Sequence, residues 1–227
     1  MSQPSYRTRA PVGLELIKER RPVYGRHVRT QQLELLRRPL GRVLDVGCAE
    51  GAGADVMRGF GATHLAGIEI DAAFAAVASR RYDEVIHGSV PEDLSWDDRT
   101  FDTILCYDVL EHLYDPWSAL RRLARLLEPG GQIHVSIPNA RHKNVWLPLV
   151  LNGTFRYARA GLLDVTHLRF FTRRDAMRML EAAGLRIVAI DCPPPGSRKR
   201  RLAAALTRGR VMEFLATQWF LLGEPDA

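Results

Sequence analysis

The chain has little cysteine. Cys48, Cys106 and Cys192 are its three thiols in 227 residues, and they are far apart. That excludes a disulfide-stapled scaffold and leaves no Cys-x-x-Cys pair of the kind that holds structural zinc. Nothing else in the sequence has the spacing of a dedicated metal cluster, so no metal-ligating residues are named, and the sequence does not set whether a metal assists. Long apolar runs are also missing: none approaches the ~20 residues needed to cross a bilayer. The opening stretch, MSQPSYRTRAPVG, lacks the apolar segment of a signal peptide, so a cytoplasmic location is expected. Acidic residues are outnumbered by basic ones, giving a net charge of +6. The one dense basic run is Arg198–Arg201 in GSRKRR. No aromatic residue interleaves with it, which argues against a single-strand nucleic-acid surface and favours a solvated face. What the chain does have is 46% hydrophobic and 26% charged residues, an ordinary globular balance at a length that suits one α/β core.

The apolar pattern alternates. The stretches RVLDVG, HLAGIEI, EVIHG, FDTILCY, QIHVSIP and LRIVAID read as short strands with continuous rather than alternating apolar residues. Such strands are covered on both faces, as in a parallel sheet. Between them lie helical segments: Ala52 to Phe60, DAAFAAVASRR, PWSALRRLARLLEPGG and TRRDAMRMLEAAG. Thr172 and Asp175 have the spacing of a capping box. Strand-helix alternation predicts βαβ units with right-handed crossovers. The whole chain, 1–227, reads as one domain with a helical lead-in over 1–41, in which Leu33, Leu35 and Leu36 share a side. The rhythm breaks over 139–171, an excursion rich in aromatics and histidines, of the kind that builds lids and binding loops. A Pro-Gly-basic link, Pro193 to Arg210, leads to a last strand, TQWFLLG.

The first strand ends in VLDVGCAEG, at residues 43–51. Small residues at Gly47, Ala49 and Gly51 let the backbone approach a ligand closely, and the following helix offers free N–H groups. In an open parallel sheet, ligands sit beyond the carboxyl ends of the strands. Glu69 ends the second strand, where a carboxylate can accept hydrogen bonds from both hydroxyls of a ribose. A nucleoside-containing ligand follows. From Gly51 the sequence lacks the last small residue of the dinucleotide fingerprint, so a dinucleotide is disfavoured.

The segments VLDVGCAEG, GIEID, FDTILCYDVLEHL and LEPGGQIHVSIPN, in that order, resemble those of class I S-adenosylmethionine-dependent methyltransferases. GLLDVTHLRFFT, followed by a helix ending in Ala-Ala-Gly, is similar to a bacterial small-molecule and glycan-modifying subgroup. The resemblance implies a Rossmann-like seven-stranded, mostly parallel sheet with its last strand antiparallel and helices on both faces. It implies S-adenosylmethionine as cofactor. Asp45, Gly47, Ala49 and Gly51 would wrap the amino-acid end of that molecule, with Ala49 standing where the family usually has glycine. Glu69 would hold the ribose and Ile70 would flank the adenine. Ser89 and Val90 would line the adenine edge, Ser89 replacing an aspartate found in many relatives. Tyr107 and Asp108 would lie beside the methionine part and the sulfonium.

Methyl transfer from a sulfonium is an in-line displacement, so positioning of the acceptor supplies most of the acceleration. A hydroxyl acceptor also benefits from a general base, most often histidine. The candidates are His167 in the insertion, His142 at its start, and His112 after the fourth strand, each with an alternative structural role. His64, His87 and His134 read as structural. The apolar stretch around Trp146, Leu147, Leu149, Val150 and Leu151 suggests a packed helix, a lid over the acceptor, or a peripheral membrane or dimer contact. The expected function is methylation of a hydroxyl on a sugar, a glycan precursor or another bacterial metabolite. A phenolic or quinone acceptor is the alternative. So is a non-catalytic S-adenosylmethionine-binding partner linked to methionine metabolism. No nucleic-acid substrate is expected, since no base-targeting motif follows the fourth strand. The sequence does not set an oligomeric state.

Overall fold

A computed structural model describes residues 33, 39–96, 98, 100–193 and 198–226. The lead-in therefore lies mostly outside the described residues, as do Leu35 and Leu36. Leu33 is helical and buried in the core.

Seven strands form one sheet in the order β3-β2-β1-β4-β5-β7-β6. β1 (Gly41–Val46), β2 (Ala62–Glu69), β3 (Glu84–His87), β4 (Phe101–Tyr107), β5 (Leu127–Pro138) and β6 (Leu185–Asp191) run one way, and β7 (Gln218–Pro225) runs against them between β5 and β6. This is the Rossmann-like sheet with an antiparallel last strand. Register explains where a ligand would sit. Val46 lies opposite Ile68 on β2 and Cys106 on β4, so β1, β2 and β4 end on one rim. The chain reverses its direction of winding between β1 and β4, and the crevice at such a switch is open to a ligand.

Helices cover both faces: α1 (Ala54–Gly59), α2 (Ala72–Ala78), α3 (Pro116–Leu126), α4 (Lys143–Asn152), α5 (Arg173–Ala182), α6 (Arg198–Leu206) and α7 (Met212–Leu215). α3 shows how sequence sets such an element. Proline occupies its first position, Asp115 caps it by accepting from the Ser118 N–H at 3.0 Å, and Ala119, Leu120, Leu123 and Leu126 line its buried face. The capping box of α5 is formed as the sequence predicts, with Thr172 and Asp175 each satisfying the other's backbone N–H.

Two elements differ from the sequence reading. The LEPGG stretch does not simply end α3. It is the first part of β5, where the pairing with β4 slips between Phe101 and Thr103 and absorbs the Pro-Gly-Gly as an irregularity. The link from Pro193 to Arg210 contains α6, since its Arg-Leu-Ala-Ala-Ala-Leu residues are strong helix formers whatever the polarity of their flanks.

Candidate active site

The turn after β1 is held by its neighbour. The N–H groups of Gly47 and Cys48 both donate to the Ile68 carbonyl, at 2.8 and 3.3 Å. Gly47 has φ +72°, and a Cβ there would come within 2.8 Å of the Val109 side chain. Gly51 has φ +69° and faces the Tyr82 ring, 2.9 Å from where a Cβ would be. Ala49 adopts φ 49° although it carries a methyl group. Its N–H donates to Glu69 Oε2 at 2.9 Å, while Glu69 Oε1 accepts from the Asp71 N–H at 2.9 Å. Each carboxylate oxygen has a second lone pair, so the two hydroxyls of a ribose can still be accepted. Ile70, next in the chain, is exposed beside this carboxylate.

Asp45 accepts from the Tyr82 hydroxyl at 2.6 Å. Burial, and then the charge of Asp45, push the Tyr82 phenol well above its ordinary range. The Cys48 thiol is raised by the same causes, burial first and then Asp45 and Glu69. It stays protonated and is no nucleophile. At the next loop the Ser89 N–H donates to Asp93 Oδ2 at 2.8 Å, and Val90 is buried. The Ser89 amide is thus taken up by an acid four residues along.

The exit of β4 carries a second constellation. The Tyr107 side chain turns into the core and its hydroxyl meets His134 Nδ1 at 2.8 Å. Burial holds the His134 imidazole down at about 4, so it is neutral. Asp108 has φ 54°, and its carboxylate is held by the Ser136 hydroxyl at 3.0 Å and by the Gln218 side-chain amide. The chain then makes a short 3-10 turn, Leu110–His112. Insertion residues close over it: the N–H groups of Leu168 and Arg169 both donate to the Glu111 carbonyl, at 2.8 and 3.0 Å. The result brings Glu111, His112 and His167 together, with one ligand-type atom from each lying within 4.8 Å of the others. The His112 and His167 rings meet edge to face at 4.7 Å. Glu111 is 1% exposed and His167 is 8% exposed.

The insertion is pinned at its neck by a bridge between Asn139 and Phe171, and Asn139 donates to the carbonyls of Glu213 and Ala216. His142 caps α4 by accepting the Asn144 N–H at Nδ1, 3.1 Å away, and it is buried. That engagement suits the structural role for His142. Only Val145 of α4 is buried; Val150 and Leu151 are 69% and 70% exposed. A line of rings elsewhere in the insertion ends at the buried histidine: Tyr157 stacks on Phe155, Phe155 meets Phe170 at 5.9 Å, and Phe170 meets His167 at 6.4 Å.

The family model described as a methyltransferase domain matches residues 18–190. The chain belongs to this methyltransferase family. It is 30% identical over 153 residues to a ubiquinone biosynthesis O-methyltransferase of Aeromonas salmonicida, covering 63% of this chain and 62% of that protein. A protein of the same name from Thiobacillus denitrificans is 34% identical over 152 residues, covering 63% of this chain and 64% of the relative. The chain thus spans a little under two thirds of the length of these relatives. In fold it resembles an S-adenosylmethionine-dependent methyltransferase of Mesorhizobium loti, at a TM-score of 0.60 and 15% identity over 85% of this chain and 95% of the other. An S-adenosylmethionine-dependent methyltransferase of Archaeoglobus fulgidus superposes at 0.57 and 18% identity, with 92% of both chains covered. The cofactor of this methyltransferase is S-adenosylmethionine. The glycine turn fits it: the turn and the Glu69 carboxylate, whose two oxygens accept from the Ala49 and Asp71 N–H groups, lie on one rim at the ends of β1 and β2.

Sequence reasoning missed several supports of this site. Tyr82 behind Asp45, and Ser136 with Gln218 behind Asp108, come from distant elements, while Asp93 behind Ser89 is only four residues along. The group of Glu111, His112 and His167 was hidden by the 54 residues between its two histidines, since only the fold of the insertion closes that gap. The one signal available was that LEH and THL each place a histidine in a segment bordering an irregular stretch.

Proposed function

We propose that this methyltransferase acts on a hydroxyl of a small-molecule acceptor. The observation that carries the reading is the convergence of Glu111, His112 and His167 at the exit of β4, on the rim shared with the glycine turn. When bound, S-adenosylmethionine supplies a methyl group already activated by a sulfonium. The protein's own task is to orient the acceptor and manage its proton. His167 Nδ1 lies 3.2 Å from the Leu162 carbonyl, which can only accept, so Nδ1 carries the proton and Nε2 carries the lone pair. In this reading Nε2 takes the hydroxyl proton, and Glu111 Oε1, 3.9 Å away, stabilises the imidazolium that forms. Asp45, Gly47, Ala49, Gly51, Glu69, Ile70, Ser89, Val90 and Asp108 line the cofactor side, and the buried Tyr107 supports the end of β4.

The acceptor class follows from the insertion. The line of rings from Tyr157 to His167 favours a planar, apolar acceptor, and the relatives named for ubiquinone biosynthesis point the same way. A phenolic or quinone-type hydroxyl is therefore preferred to the sugar or glycan hydroxyl that the sequence suggests. Transfer of labelled methyl from S-adenosylmethionine to a panel of phenols, catechols and sugar nucleotides tests this, with mass spectrometry of the products. Label on a phenolic oxygen supports the reading. Label on a sugar restores the other acceptor class. Binding of S-adenosylhomocysteine with no labelled product from the panel or from cell extract favours the non-catalytic binder.

A further inference from the structure

We propose that Glu111, His112 and His167 bind a single zinc-type divalent cation, leaving one coordination position for the acceptor oxygen. The donor set is two imidazoles and a carboxylate, a combination that holds catalytic zinc with a fourth position open. The geometry is close to what an ion requires. Tetrahedral ligand atoms about 2.1 Å from zinc lie about 3.4 Å apart. His167 Nε2 and Glu111 Oε1 are separated by 3.9 Å, and all three donors fall within 4.8 Å. The His167–Glu111 separation exceeds a hydrogen bond, yet it differs from that of two ligands on one ion by about 0.5 Å, and the 4.8 Å limit on the whole group leaves at most about 1.4 Å to close.

The surroundings fix both rings for this task. The Thr166 hydroxyl donates its one proton to Asp164 Oδ1 at 2.9 Å, so toward His112 it can only accept. His112 Nδ1 lies 3.0 Å from that oxygen and 3.2 Å from the Thr166 carbonyl. Two acceptors around Nδ1 place the proton there and the lone pair on Nε2. His167 is set the same way by the Leu162 carbonyl. An imidazole whose second nitrogen donates to a backbone carbonyl is the usual arrangement around a metal, where it orients the ring and raises its basicity. Asp164, fully buried, braces Thr166 through both its N–H and its hydroxyl, at 2.9 Å each. A dication would also offset the cost of burying the Glu111 carboxylate.

The open position gives the ion a function. An acceptor hydroxyl bound there would be acidified by the metal, as zinc acidifies its water, with its proton released to solvent water, so the Nε2 lone pair of His167 is used for ligation rather than for taking a proton. That role rests on the methyltransfer reading; binding of the ion does not. The test therefore begins with neither cofactor nor acceptor. The chelator-stripped full chain is titrated with zinc against a chromophoric competitor, and with cobalt by its visible absorption. One equivalent of zinc per chain, with a tetrahedral cobalt spectrum, is expected. Glu111→Gln and His167→Ala should each weaken uptake by at least about 100-fold, while His64→Ala, on the surface, should not. Melting curves and S-adenosylhomocysteine affinity identify variants that remain folded, and His112→Ala replaces any that do not. Substoichiometric uptake by the wild type, or wild-type affinity in a folded Glu111 or His167 variant, overturns the site. So does displacement of zinc by an equal concentration of magnesium. In each of those cases the methyltransferase assignment stands, with His167 as a base. Uptake as expected, but with turnover unchanged in the stripped enzyme, overturns the acceptor role of the ion.

Discussion

The two halves of the sheet solve different problems. On the β3-β2-β1 side, connections are short and the decisive contacts use backbone N–H groups of neighbouring segments: a carbonyl of β2 holds two of them in the glycine turn, and the Glu69 carboxylate ties that turn to the start of α2. On the β5-β7 side, the rim is built by an excursion of 33 residues, 139–171, and the decisive contacts are made by side chains gathered from far apart. A fixed cofactor can be met by a local backbone shape, because its atoms never change. An acceptor that varies among enzymes is met by an insertion, which can change without disturbing the strands. The difference predicts that each half can be damaged with little effect on the other's ligand.

The largest expected effect lies on the acceptor side. His167→Ala should lower turnover by about 10²–10⁴-fold if Nε2 is a base, and by a similar or larger factor if it ligates an ion. S-adenosylhomocysteine affinity, measured by calorimetry, should hold. A parallel loss of cofactor affinity would break the separation of the halves.

Next comes a stability effect that belongs to the sheet shared by both. His134 is fully buried, and burial depresses its imidazole from 6.5 to about 4. Because the unfolded chain binds the proton more readily between those values, stability is complete above about pH 6.5 and falls as the pH drops toward 4. The full loss is about 3 kcal/mol. His134→Gln should flatten the dependence of the melting temperature over that window. An equally steep dependence in the variant would remove His134 as its cause.

The cofactor side gives the third. Glu69→Ala removes a carboxylate that serves both the turn and the ribose. Charge-assisted hydrogen bonds contribute about 1.5–3 kcal/mol, so cofactor affinity should weaken by roughly 10- to 100-fold. Zinc uptake by the Glu111 group should stay unchanged. Unaltered affinity in a folded variant would take Glu69 off the ribose.

The same contrast explains what the sequence disclosed. The glycine turn, Glu69 and the seven strands were legible, because buried parallel strands are continuous apolar runs and a tight turn next to a ligand needs small residues in fixed order. LEPGG was misread because proline and glycine mark both a helix end and a strand irregularity, and only pairing with β4 decides between them. α6 was passed over because its proline, glycine and basic flank masked a short run of helix formers. The Glu111 group was illegible for a different reason. His112 is brought to His167 by hydrogen bonds from Leu168 and Arg169 back to the Glu111 carbonyl and by its own contacts with Thr166, and no local pattern encodes contacts between segments so distant in the chain.

The smallest expected effect is the sharpest check on the comparison. Thr172 follows Phe171, where the insertion closes against Asn139, and it caps α5. Its hydroxyl and the Asp175 carboxylate are 2.7 Å apart, and each serves the other's backbone N–H. Removing a cap of this kind costs about 1 kcal/mol. Thr172→Ala should therefore lower the melting temperature by a few degrees. The α5 helix packs against the sheet through Ala176, Met179 and Leu180, all buried, so it should stay docked when the cap is lost. The neck of the insertion should loosen with it, since the Phe171 carbonyl accepts from the Ala140 N–H at 2.9 Å. Weaker acceptor binding with unchanged cofactor affinity is then the expected kinetic result, seen as a raised KM at constant kcat. A cofactor affinity that falls along with the melting temperature would show that the two rims are mechanically one, and that the division between a backbone-built and a side-chain-built half does not extend to their energetics.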